Sequence, residues 1–176
     1  AQMHTKEFER EALAFVADLY GITDDYWGYT TSGGTEGNLY GMYMAREYFG
    51  AKGEPLVFIS SASSHYSIPK NARLLQLSTC TIECEPSGEM RYDALKEALK
   101  EVDTAWPERP GLSISLNIGT TMTGAIDQVI RINDVLSEIG WPREKVLIHA
   151  DAALLGLVYP FIEGNPNLFE NGVSSI

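Results

Sequence analysis

The chain has 176 residues, thirteen basic against twenty-four acidic side chains for a formal net charge of −11, and 44% hydrophobic residues. This is an ordinary globular composition with material for one core, which excludes a disordered or low-complexity chain. The acidic balance argues against nucleic acid as a partner, because non-specific affinity for it rests on basic contacts to phosphate. A small phosphorylated ligand stays open, since backbone amides can hold one phosphate in a negative protein.

No run reaches eighteen apolar residues, so no membrane partner is expected through a spanning helix. The opening Ala1-Gln2-Met3-His4-Thr5-Lys6-Glu7 lacks the basic-then-apolar layout of a signal peptide. Cys80 and Cys84 are the only cysteines and read as reduced thiols in a cytoplasmic setting, with a disulfide or ligand role as the alternative. Three dispersed histidines predict no metal site.

In chain order, Phe8, Ala12, Phe15, Val16 and Leu19 keep helical spacing over 5–20, and Gly21 is a stop signal. A second helix is expected over 35–49, directly after Ser32-Gly33-Gly34. The apolar run 56–60, between Pro55 and a serine cluster, predicts a buried strand. One or two helical turns follow over 68–72, then short strands near 74–77 and 81–85 and a turn at Ser87-Gly88. Leu95, Ala98, Leu99 and Val102 mark a helix beginning at Tyr92. Residues 112–118 predict a strand, Val129, Ile132, Leu136 and Ile139 a helix, and 146–151 a strand closing at Asp151. Helices alternating with short apolar strands imply a layered α/β fold on a mostly parallel sheet with helices on both faces. Internal repeats and linkers are absent from the pattern.

Four groups could carry chemistry. In Thr31-Ser32-Gly33-Gly34-Thr35-Glu36-Gly37-Asn38 two glycines permit a sharp turn, and the amides opening the next helix favour an anion, with Ser32 and Thr35 as further donors. The segment matches neither the dinucleotide fingerprint nor the P-loop, and alone it reads equally as a capped tight turn. His65 follows a strand, where open α/β sheets place ligands; there it could stack on an aromatic group or move a proton, or simply be a hydrogen-bonded loop residue. Gly119-Thr120-Thr121-Met122-Thr123-Gly124 offers hydroxyls at the same sheet edge, for a ligand or for its own loop. Asp151 is a carboxylate ending an apolar strand, a costly placement unless a metal, an arginine or a protonated ring nitrogen meets it. His149 shares its strand face and is either a support for Asp151 or a satisfied core histidine.

Taken in order, five segments resemble the group II pyridoxal-phosphate-dependent amino-acid decarboxylases, a branch of the fold-type-I enzymes, and among them the histidine and serine decarboxylases. They are Tyr26-Trp27-Gly28-Tyr29, Ser32 to Asn38, Ser64-His65-Tyr66-Ser67, Asn117-Ile118-Gly119-Thr120-Thr121 and His149-Ala150-Asp151-Ala152-Ala153. The resemblance runs from about His4 to Ile176. It implies that the cofactor phosphate sits at Gly34 and Thr35, with Ser32 as a further candidate, and that His65, the catalytic residue, stacks on the pyridine ring. It further implies that Asp151 pairs with the ring nitrogen, that Ala153 packs on the opposite face, and that Thr120 or Thr121 contacts the ring substituents.

The family holds its cofactor through a lysine in a Ser-x-His-Lys segment, whose equivalent would follow Gly172-Val173-Ser174-Ser175-Ile176. None of Lys6, Lys52, Lys70, Lys96, Lys100 and Lys145 stands in such a context. The resemblance therefore implies that residues 1–176 are a truncated chain, the central part of the cofactor-binding large domain of a homodimeric enzyme, inactive alone. The implied reaction of the parent is an amino acid giving its amine, histidine to histamine, with serine to ethanolamine as runner-up. Another fold-type-I reaction (an aminotransferase or lyase) and a non-catalytic protein are the remaining alternatives.

Overall fold

Alternating side chains along three central strands divide the structure into an apolar face and one that mixes apolar and polar groups. The structure is a computed structural model describing residues 5–23 and 25–176. His4 and the rest of residues 1–4, on which the resemblance's start and most of the signal-peptide reading fall, lie outside the described residues.

The elements are α1 (Lys6–Leu19), α2 (Gly34–Gly50), β1 (Leu56–Ser61), α3 (Ser67–Leu75), β2 (Ser78–Ile82), α4 (Tyr92–Ala105), β3 (Gly111–Asn117), α5 (Val129–Ile139), β4 (Val146–Asp151) and β5 (Val173–Ser175). The five strands form one parallel sheet in the order β2-β1-β3-β4-β5. From β1 the chain goes outward to β2 and then returns to the other side of β1 as β3. The order thus reverses between β1 and β3, and such switch points open a crevice at the carboxyl ends of the strands.

Val57 and Ile59 of β1, Leu112, Ile114 and Leu116 of β3, and Val146, Ile148 and Ala150 of β4 join the main core with Leu95 and Leu99 of α4 and Ile132 and Leu136 of α5. Phe58 faces the other way, in a smaller core with Met42 of α2 and Ile68, Ala72 and Leu75 of α3. Helices therefore cover both faces, as the strand pattern predicts. The α2-facing positions alternate with the core ones: Ser113, Ser115 and Asn117 on β3, and Leu147, His149 and Asp151 on β4. All but Leu147 are polar, so polar groups accumulate beneath α2 and at the strand ends.

Two segments differ from the sequence expectation. The apolar run 74–77 is not a strand. Ile68, Ala72 and Leu75 are buried at i, i+4 and i+7, which extends α3 to Leu75, and Gln76 closes it in the left-handed conformation at φ 56°. The following strand is Ser78–Ile82 rather than 81–85, an edge strand whose exposed Ser and Thr positions give little hydrophobic signal. The three-residue β5 is an addition to the expected elements. No helix among the described residues is long and apolar enough to cross a membrane.

Candidate active site

The carboxyl ends of β1, β3 and β4 and the amino end of α2 surround a cavity of about 250 Å³. Gly34, Thr35, His65, Thr120, Thr121, Asp151 and Ala153 line it together, along with Asn38 and Asn117. Ser32 is the one expected site residue outside this lining. Its amide and hydroxyl both donate to Glu36 Oε2, at 2.8 and 2.6 Å, closing the turn that leads into α2. The Ser32 hydroxyl, then its amide, hold the Glu36 carboxyl below the ordinary carboxylate range.

The turn approaches β4 because Gly34 has no side chain: a Cβ there would stand 2.6 Å from Ala153 Cβ. Gly34 and Thr35 are the first two residues of α2, so their amides have no carbonyl one helical turn earlier to receive them. Both donors open toward the cavity, in the partly positive field of the helix terminus.

Asp151 sits half-buried at the end of β4. Its Oδ2 accepts from Asn38 Nδ2 at 2.8 Å and its Oδ1 from the Ala153 amide at 3.3 Å. Among the described residues no Lys, Arg or His forms an ion pair with it. His65 Nδ1 lies 2.8 Å from Ser67 Oγ, and the His65 ring is tilted against Tyr66.

The loop after β3 separates the two threonines. Thr120 is buried; its Oγ1 accepts from the Ala125 amide and lies 2.8 Å from Thr123 Oγ1. Thr121 is exposed and carries no such bond among the described residues. The loop is anchored by Asp127, whose carboxylate accepts from the Met90 amide and from both the amide and Nδ2 of Asn117. Burial pushes the Asp127 carboxyl up, against the opposing pull of those donors. Asn117 Nδ2 also donates to Ser61 Oγ at 3.0 Å, so β1 and β3 are tied at the cavity floor.

Asn38, Ser67, Asn117 and Asp127 received no role in the sequence reading, although Asn38, Ser67 and Asn117 stand in the quoted segments. For Asn38 a signal existed: it follows Gly34 by four residues and so lies on the same face of α2, one turn in. His149 lies behind Asp151, its Nε2 3.1 Å from Asn38 Oδ1 and its Nδ1 2.8 Å from Ser175 Oγ. Burial pushes its imidazole down to about 4, only partly offset by the Asp151 charge. Both sequence alternatives thus describe it: it is a buried, satisfied histidine and it touches the partner of Asp151.

These groups fit pyridoxal phosphate. An anion-favouring helix terminus and a carboxylate without a cation face one cavity, and the cofactor carries a phosphate and a basic ring nitrogen at its two ends.

The family profile described as "Pyridoxal-dependent decarboxylase conserved domain" matches residues 5–175. A histidine decarboxylase of Acinetobacter baumannii (strain AYE) is 41% identical over 177 residues, covering 99% of this chain and 44% of the relative. One from Pseudomonas entomophila (strain L48) is 39% identical, covering 99% and 41%. The chain thus spans less than half the length of these relatives. Among solved structures, mouse CSAD superposes with a TM-score of 0.73 at 27% identity, covering 93% of this chain and 35% of that one. L-methionine decarboxylase from Streptomyces sp. 590 reaches 0.74 at 22% identity, covering 89% and 44%, which speaks to the fold alone. The chain belongs to the pyridoxal-dependent decarboxylases, whose cofactor is pyridoxal phosphate.

Proposed function

We propose that the protein carrying this chain decarboxylates L-histidine to histamine, as a cytoplasmic homodimer that uses pyridoxal phosphate. In this reading residues 1–176 are the central part of the cofactor-binding domain, and the lysine that holds the cofactor lies outside them. The observation that carries the reading is the single cavity joining Asp151, His65 and the first turn of α2. The choice of histidine rests on relatives named histidine decarboxylase at 38–41% identity over 99% of the chain.

Bound pyridoxal phosphate supplies a delocalised sink for the electron pair left when carbon dioxide departs. The chain's own residues then have distinct tasks. The Gly34 and Thr35 amides would bind the phosphate at the positive end of α2. The Asp151 carboxylate favours a proton on a ring nitrogen within reach, which strengthens the sink; its role is electrostatic rather than that of a general base. His65 and Ala153, which both line the cavity, would hold the ring. Thr121, whose hydroxyl has no partner among the described residues, is the better placed of the two threonines to reach a ring substituent, since Thr120 is engaged in its own loop.

The test is a product assay on the full-length protein with pyridoxal phosphate, offering L-histidine and, separately, L-serine. Histamine and carbon dioxide are expected. Ethanolamine in place of histamine would overturn the substrate, and a keto acid in place of an amine would overturn the reaction. Asp151→Ala should lower turnover by about a hundredfold or more, the scale of losing one preorganised electrostatic contact. Its urea midpoint should stay near that of the unsubstituted protein.

A further inference from the structure

We propose that Asn38 is a positioning residue whose side-chain amide holds the Asp151 carboxylate and, through Ser67, fixes the proton of His65 on Nε2, while the His149–Ser175 pair keeps that amide from turning over. The importance of this for catalysis rests on the cofactor-site reading above; the geometry does not.

Asn38 is 3% exposed and stands where two branches meet. Its Nδ2 lies 2.8 Å from Asp151 Oδ2 and 3.1 Å from Ser67 Oγ. A carboxylate only accepts hydrogen bonds, so the amide must present its NH2 group to this side and its oxygen to the other. Oδ1 then faces His149 Nε2 at 3.1 Å, and that nitrogen must carry a proton. Burial keeps the His149 ring neutral, leaving Nδ1 as the acceptor for the Ser175 hydroxyl at 2.8 Å. A turned-over amide would set oxygen against the Asp151 carboxylate and leave the His149 proton without an acceptor.

On the other branch, Ser67 Oγ accepts from Asn38, so its own proton is free to go to His65 Nδ1 at 2.8 Å. The Ser67 amide donates to the same nitrogen at 3.3 Å. Nδ1 of His65 is thus an acceptor twice over, and the neutral ring carries its proton on Nε2. That nitrogen has no protein partner among the described residues, so its N–H is available to a molecule in the cavity. The chain of contacts joins β5, β4, α2 and α3. It depends on Gly41, because a Cβ there would stand 2.5 Å from His149 Nδ1.

The experiment is long-range proton–nitrogen correlation NMR on the full-length protein labelled with nitrogen-15 histidine. Both His65 and His149 should show a protonated Nε2 and an unprotonated Nδ1. Ser67→Ala removes the hydroxyl donor, and Asn38→Leu frees that hydroxyl to accept instead. Each should lower the Nε2–H preference of His65 roughly fivefold, the ratio expected for one lost hydrogen bond of ordinary net strength. Ser67→Thr should restore the preference. A proton on His65 Nδ1 in the unsubstituted protein, or a preference unchanged in both variants, would overturn the proposal. If neither variant folds, the two tautomers in the unsubstituted protein decide it. Histamine production without this proton pattern would sink the relay alone, whereas the pattern without histamine would sink only the substrate assignment.

Discussion

Keeping His149 neutral inside the protein costs stability in acid. Its folded pKa of about 4 lies below the ordinary 6.5. As the pH falls below about 6.5, the unfolded chain takes up a proton that the folded one refuses, and stability declines until about pH 4, levelling off below it. The gap corresponds to roughly 3 kcal/mol. His149→Gln, which keeps hydrogen-bonding capacity without titrating, should lose less stability than the unsubstituted protein between pH 6.5 and 4.5 in urea unfolding. Parallel losses in the two would show that His149 is not the group responsible. The sequence singles out His65, Thr35 and Asp151 because each stands at a glycine turn or a strand end, and the structure brings all three to one cavity. Helical spacing shows which face Asn38 shares but not its partner Asp151, 113 positions away, and nothing local marks Asp127, which meets Met90 37 positions away. Only packing decides such pairs.

At the scale of elements, α2 organises the site, and its glycines differ in what they permit. Gly41 lies against the His149 ring, whereas a Cβ on Gly50 would meet nothing within 4 Å. Gly41→Ala should therefore force α2 away from β4, costing about 1–3 kcal/mol. Gly50→Ala, at the end of the same helix, should be neutral or gain up to about 1 kcal/mol. Thermal unfolding of the two variants separates packing from helix propensity; equal effects would contradict the close approach at Gly41. The sequence shows α1, α4 and α5 well, because their apolar residues hold one spacing over eleven or more residues, and α2 through the glycine turn that precedes it. It misread the α3–β2 junction, where Leu74, Leu75 and Leu77 look like a strand although Leu74 is 67% exposed on a helix. Three-residue β5 is too short for any period to register.

Across the whole molecule, the candidate site lies where the sheet changes direction. With β1 and β3 adjacent but not consecutive, the loops bearing His65 and the threonines meet Asp151 at one edge, and α2 brings its amino end to the same place. In the proposed reading, a chain of net charge −11 would hold its anion with backbone amides and helix field rather than with lysine or arginine. The measurement that tests this most directly is a crystal structure of the full-length protein loaded with pyridoxal phosphate. The ring nitrogen should lie about 3 Å from the Asp151 carboxylate, with the His65 imidazole over the ring and the phosphate on the Gly34 and Thr35 amides. A phosphate bound away from α2, or a ring nitrogen out of hydrogen-bond reach of Asp151, would contradict it.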